Sequence, residues 1–205
     1  MKKFLAILLV ILTAVSFSAC GGTNGGNADG GNSGSGDEPS VTESKVLVAY
    51  FSATNHTKKV AEYIAEATNG TLFELVPETP YTSSDLNYNS SSSRVSKEHD
   101  DESLRDIKLV SDTPANFEDY DVVFIGYPIW WGIAAWPVNN FVKNNDFSGK
   151  TVIPFATSAS SGLGSSGSNL KTLAGNKGDW LDGRRFSSSE SKSDVTNYIK
   201  SLNLK

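Results

Sequence analysis

The alternation of apolar runs and helical periods divides most of the chain into strands and helices. Residues 46–51 (Val-Leu-Val-Ala-Tyr-Phe) form a continuous apolar run rich in β-branched and aromatic side chains. A run this short, bounded by a polar turn, predicts a strand buried on both faces. From Thr57 the period changes, and Val60, Ala61, Ile64, Ala65 and Thr68 share one helical face. Asn69-Gly70 ends that helix, and residues 71–76 give a second strand. Strand, helix and strand within about 30 residues make a βαβ unit with a right-handed crossover. Residues 77–116 are only weakly periodic, with a helix expected somewhere between Asn89 and Arg105. A third buried strand spans 121–126, and residues 127–132 (Tyr-Pro-Ile-Trp-Trp-Gly) follow as a loop at its carboxyl end. A helix over 136–142 carries Pro137 in its first turn, where proline is tolerated. The fourth strand, 151–156, contains Pro154, an unusual interruption of a sheet. A Ser/Gly/Thr loop over 157–168 leads into a short helix over 169–174. A fifth strand falls around Trp180-Leu181 or around Arg185-Phe186. Val195, Tyr198, Ile199 and Leu202 then share one face of a closing helix over 194–202.

Strands that alternate with helices predict an α/β fold, a doubly wound parallel sheet with helices on both faces. In such sheets ligands sit beyond the carboxyl ends of the strands, where the strand order reverses. The unusual residues of this chain fall at those ends. After the first strand comes a turn of small hydroxyl and amide residues, Ser52 to Thr57, which opens a helix. The free N–H groups and dipole of a helix N-terminus favour an anion there. Ser52, Thr54 and Thr57 add hydroxyl donors, and His56 is a further donor. Asn55 stands where the turn needs positive φ, which asparagine tolerates. The alternative is an ordinary capped helix after a buried strand. After the third strand come two adjacent tryptophans, Trp130 and Trp131, which suit a flat apolar ring. Adjacent residues point in different directions, so one of the two is expected in the core.

The N-terminus belongs to another category. Residues 1–19 have a basic start (Lys2, Lys3), an apolar centre and small residues before Cys20. That is the pattern of a secretory signal, too short for a comfortable membrane span. Phe17-Ser-Ala-Cys20 resembles the bacterial lipobox, with Phe17 in place of the usual Leu. The resemblance implies that Cys20 becomes the lipidated end of the mature chain, anchored outside the cytoplasm on the bacterial cell membrane. Cys20 is the only cysteine, so an intramolecular disulfide is excluded. Residues 20–44 carry this cysteine and a Gly/Ser/Asn-rich linker, expected to reach about 27 Å as a flexible tether. The folded domain is then 45–205. Without Lys2 and Lys3 the chain has 16 basic and 23 acidic residues, a net −7, which argues against nucleic-acid binding.

The motifs together carry a family resemblance. Ser52-x-Thr54-x-x-Thr57 resembles the phosphate-binding loop of flavodoxins, with Asn55 in the place of a common glycine. Residues 120–132, followed by Trp136-Pro-Val-x-x-Phe-Val142, are similar to the flavodoxin-like family of small flavoproteins and flavin-dependent reductases. The likeness runs from Lys45 to about Leu202 and is weakest in 77–116 and at the fifth strand. It implies five strands in the order 2-1-3-4-5 and an FMN cofactor. Ser52, Thr54, Asn55, His56 and Thr57 would hold the phosphate. Pro128, Ile129, Trp130, Trp131 and Gly132 would line the ring, with Thr157, Ser158, Ser160, Gly162 and Gly164 at its other edge.

Other chemistry is poorly supported. Gly162-Leu-Gly-Ser-Ser-Gly167, with Asp182 beyond it, matches a dinucleotide fingerprint but follows the fourth strand rather than the first. Gly-x-Ser-x-Gly is absent. The run Glu98-His99-Asp100-Asp101-Glu102 turns around a helix and reads as a solvated helix end, so no metal site is expected. The expected role is electron transfer, with a partner protein or a small acceptor such as a quinone. The alternatives are an FMN-dependent NAD(P)H:quinone-type reductase and a non-enzymatic binding lipoprotein on the same fold.

Overall fold

The computed structural model describes residues 44–204. The signal, Cys20 and nearly all of the linker lie outside the described residues. Among the described residues no helix is long and apolar enough to cross a membrane.

Strand β1 (Val46–Tyr50) is buried throughout. Its side chains alternate, as a strand requires. Leu47 and Ala49, with Phe51 just beyond the strand, enter the core on one face; Val46, Val48 and Tyr50 enter the core on the other. β3 (Val122–Trp130) and β5 (Thr151–Thr157) divide in the same way. Helices α1 (His56–Thr68) and α5 (Lys192–Ser201) cover one face through Val60, Ala61, Ile64, Val195 and Ile199. The other face is covered by α3 (Asn139–Asn144) and α4 (Ser166–Leu173), through Phe141, Val142 and Leu170.

β2 (Thr71–Glu74) pairs with β1 in parallel and forms one edge, where Leu72 stays exposed. β3 pairs with the other side of β1, and β5 pairs with β3, both in parallel. The strand order is therefore the expected one, and it reverses between β1 and β3. The weak stretch between β2 and β3 holds one α-helix, α2 (Arg94–Asp100), inside the expected window, and two 3-10 turns, Glu102–Arg105 and Phe117–Asp119.

Several elements differ from the sequence reading: β2 ends at Glu74 rather than at residue 76, and α4 begins at Ser166, inside the stretch expected as a loop. β3 does not stop at Gly126. It continues to Trp130 and folds back on a short antiparallel strand, β4 (Ile133–Ala134). The helix expected from Trp136 starts as a 3-10 turn, Trp136–Val138, with Pro137 near its beginning, and only then becomes α3.

The fifth position is filled twice, by β6 (Asp179–Trp180) and β7 (Arg184–Phe186), both parallel to β5. Pro154 explains the break. Leu181 N–H donates to Val152 O and Ser158 N–H to Phe186 O, so the even-numbered residues of β5 face this edge. Pro154 faces it too and has no N–H to give. Opposite it, the register moves from Val152↔Trp180 to Phe155↔Arg184, which inserts one extra residue in the edge. Gly183 lies in that bulge, and a Cβ there would sit 2.3 Å from Pro154 O. Gly183→Ala is expected to lower stability by about 2 kcal/mol, because the contact is backbone and cannot swing away. Urea denaturation measures it; an unchanged midpoint would mean that the bulge has slack.

Candidate functional site

The turn after β1 is built to leave donors free. Phe51 N–H donates to Gly126 O, which ends the ladder and releases the chain beyond the sheet edge. Asn55 adopts the left-handed conformation, φ 64°, as the helix cap. Its side chain does not cap the helix, and the first turn of α1 holds no acidic residue. The N–H groups of His56, Thr57 and Lys58 therefore have no intrahelical or capping acceptor. Ser52 Oγ is buried and has no partner among the described residues either. An exposed loop rarely leaves a buried hydroxyl orphaned beside free N–H groups, and an anion would satisfy both. Lys58 is held by Glu74 at 3.1 Å, so the cradle is made of neutral donors and the helix dipole. His56 Nδ1 lies 3.1 Å from Ser188 O, a contact in which the ring must donate.

The second wall is the hairpin of β3 and β4. Trp131 and Gly132 form its turn with φ 46° and 79°, both positive, as a two-residue type I′ turn demands. A tryptophan in that conformation is strained. It is held by ring stacking: on His99 at 4.3 Å and on Trp136 at 5.9 Å, both nearly parallel. The reversal also removes the strand alternation that would turn Trp131 away from Trp130. Both line the same cleft, but Trp130 is half-buried and packs against the core while Trp131 is exposed, and the fully buried tryptophan is Trp136, 1% exposed.

The loop after β5 closes the third side. Thr157 Oγ1 is 2.8 Å from Thr57 Oγ1, which ties the loop after β5 to the start of α1. Arg185 donates to Ser158 O at 2.7 Å and to Ser158 Oγ at 3.1 Å, which pins the chain beyond it. Gly164, φ 55°, approaches Gly132 so closely that a Cβ would lie 2.5 Å from Gly132 O.

Between these loops lies a cleft of about 540 Å³. Of the residues the sequence singles out, Thr54, His56, Pro128, Ile129, Trp130, Trp131, Thr157 and Ser158 line it. Ser52, Asn55, Thr57, Gly132, Ser160, Gly162 and Gly164 do not. Thr57 is buried behind the loop, and Gly132 and Gly164 shape the backbone. Gly162 has open space where its Cβ would be, so nothing steric requires glycine there. Leu86, Tyr88 and Val95 line the cleft as well, from the stretch where the sequence carries no clear period.

A family model for flavodoxin matches residues 45–202. The chain belongs to the flavodoxin family. It is similar to a candidate flavoprotein from Bacteroides eggerthii DSM 20697 with 40% identity and a TM-score of 0.71, covering 79% of this chain and 99% of that one. A candidate flavoprotein from Bacteroides uniformis ATCC 8492 is 39% identical, TM-score 0.70, over 78% and 99% of the two chains. A flavoprotein from Lactobacillus acidophilus NCFM, solved in complex with FMN, shares the fold at 24% identity and TM-score 0.55, over 76% and 99%. No curated protein matches the chain.

In this flavodoxin the run Glu98 to Glu102 is not a uniformly solvated helix end. Among the described residues no group of side chains could hold a metal ion, but Glu98 is only 4% exposed. Its carboxylate accepts from Tyr81 Oη and Trp136 Nε1, each at 2.7 Å, and from Arg94 Nε at 2.6 Å. Burial, and then the hydrogen bond to Glu98, push the Tyr81 phenol far above its ordinary range, so it stays a donor. Sequence reasoning misses this because Glu98 and Trp136 are 38 residues apart. The sole local sign is Ser93, three residues before Ser96, which caps α2 and fixes its phase.

Proposed function

We propose that this flavodoxin binds FMN without a covalent bond and acts in electron transfer from a membrane-tethered position outside the cytoplasm. The observation that carries the cofactor is the pairing of an anion cradle with an aromatic-walled cleft. The orphaned Ser52 hydroxyl and the unpaired N–H groups of α1 suit a phosphate dianion. The cleft between Trp130, Trp131 and Pro128 is within the usual size of a small-cofactor site. The Lactobacillus acidophilus relative, solved with FMN, supports the same reading.

FMN, when bound, supplies reversible uptake of electrons; the chain supplies binding, orientation and shelter. Thr54 and His56 would face the phosphate side of the cleft. Trp130 and Trp131 would flank the ring and exclude water from its faces. The exposed Trp131 and Tyr88, 42% and 72% accessible, leave one rim of the cleft open to solvent. That opening suits transfer to a partner protein or to a small acceptor such as a quinone.

Reconstitution tests the cofactor. The full chain is expected to turn yellow and quench FMN fluorescence; a colourless protein without FMN affinity would leave only the binding-lipoprotein reading. Thr54→Ala should weaken FMN by about tenfold while riboflavin falls much less, since one hydrogen bond to a charged group is lost. Equal losses would show that Thr54 does not touch the phosphate. The role is tested by anaerobic reduction. Two spectrally separate one-electron stages, without NAD(P)H oxidation, are expected of a carrier. Rapid turnover from NAD(P)H to a quinone would establish the reductase instead. The tether is tested by Cys20→Ala, which should move the protein from the membrane fraction to the soluble one; unchanged fractionation would reject a lipid anchor at this residue.

A further inference from the structure

We propose that Glu98 is a positioning residue of the cleft, which fixes Trp130 as the wall for the ligand ring by holding two of the aromatic residues packed against it, Tyr81 and Trp136. The inference rests on the FMN reading above. The Trp130 side chain makes no hydrogen bond within the described residues; it packs against the cluster of Val95, Ile107 and Trp136 and meets the Phe51 ring edge to face at 5.6 Å. Its ring meets Tyr81 at 5.3 Å and Trp136 at 4.8 Å, both edge to face. Those two rings are the ones whose polar atoms end on Glu98 Oε2. The other oxygen, Oε1, receives Arg94 Nε, and the same guanidinium lies 3.9 Å from the centre of the Tyr81 ring. Arg105 closes the arrangement. It donates to the carbonyls of Glu98 and His99 at 2.8 and 2.6 Å and lies over the Trp136 ring at 5.1 Å.

Core packing alone does not account for this. A buried carboxylate is expensive, and an apolar residue of similar volume often stabilises a core at least as well. What an apolar side chain cannot do is set the angle of two rings at once. Directional hydrogen bonds from a phenol and an indole do that. The next residue along α2 acts on the other tryptophan: His99 stacks on Trp131. Val95, one turn earlier, lines the cleft itself. One short helix thus controls both tryptophans of the ring wall.

Glu98→Gln keeps the shape but puts an amide N–H₂ where one of three donors points. In the full chain it is expected to lower riboflavin and FMN affinity alike, by about tenfold, the worth of one charge-assisted hydrogen bond. The FMN-to-riboflavin ratio should not change, unlike the effect of Thr54→Ala. Tyr81→Phe, which removes one donor and keeps the ring, should show a smaller loss, and the double variant should lose less than the two combined. Riboflavin affinity within about twofold of the native value in both variants would overturn the proposal, as would a loss confined to FMN. Near-ultraviolet circular dichroism of the flavin-free protein gives an independent reading. Glu98→Gln should change the tryptophan bands with the far-ultraviolet spectrum unchanged, and native-like bands would also overturn the proposal. Should the native chain bind no flavin, the FMN reading fails by itself, and the bands that Trp130→Phe removes, followed in Glu98→Gln, still decide whether Glu98 holds Trp130. If Glu98→Gln does not fold, Tyr81→Phe gives the same two readouts.

Discussion

The central strands β1, β3 and β5 are buried on both faces, so almost no polar side chain can sit along their length. Polar chemistry is pushed to the strand ends, where backbone groups run out of partners. At the carboxyl end of β1 the chain leaves the sheet and at once starts a helix, so unpaired N–H groups gather at one point. The order reversal between β1 and β3 opens the crevice beside that point. The position of the cleft is thus a consequence of covering the sheet, and the loops decide what the cleft accepts.

Those loops are held to one another more than to the sheet. Thr57 and Thr157 meet through their hydroxyls. Gly132 and Gly164 meet through their backbones. Arg185, from the broken edge strand, fixes the chain after β5. The break at Pro154 and the shape of the cleft are therefore linked. The extra residue opposite Pro154 sets the register of β7, and β7 carries Arg185 to Ser158.

What the sequence makes legible follows from the range of the interaction that fixes it. β1, α1 and the left-handed Asn55 are local: apolar run, helical period and one turn residue suffice. The strand order is legible only through the family likeness, because pairing partners are far apart in sequence. The extension of β3 to Trp130 is hidden, since Pro128 and Gly132 read as loop residues, while Ala135 N–H donating to Pro128 O reveals the hairpin. The shared direction of Trp130 and Trp131 is hidden for a related reason: alternation fails at a positive φ, and no pattern marks a tryptophan that adopts one. Glu98 is the clearest miss. Its flanking His99, Asp100 and Asp101 belong to a polar surface, and its partners Tyr81 and Trp136 come from other parts of the chain. A burial decided by distant partners leaves no periodic trace.

Electrostatics then divides the work of binding between the two sides of the cleft. The anion cradle is built from neutral donors, because Lys58 is paired with Glu74 and Lys59 turns to the Tyr63 ring. Neutral donors and a helix dipole orient a phosphate well but attract it weakly from solution, the more so in a chain with more acidic than basic residues. Affinity for a flavin must then come largely from the apolar ring, through the area it buries against Trp130, Trp131 and Pro128. That area is realised only if the wall is flat and fixed before the ring arrives, since ordering loose aromatic side chains would consume part of the gain. On this argument the costly buried carboxylate behind the wall and the strained tryptophan in front of it have one common use: both trade local stability for a rigid surface.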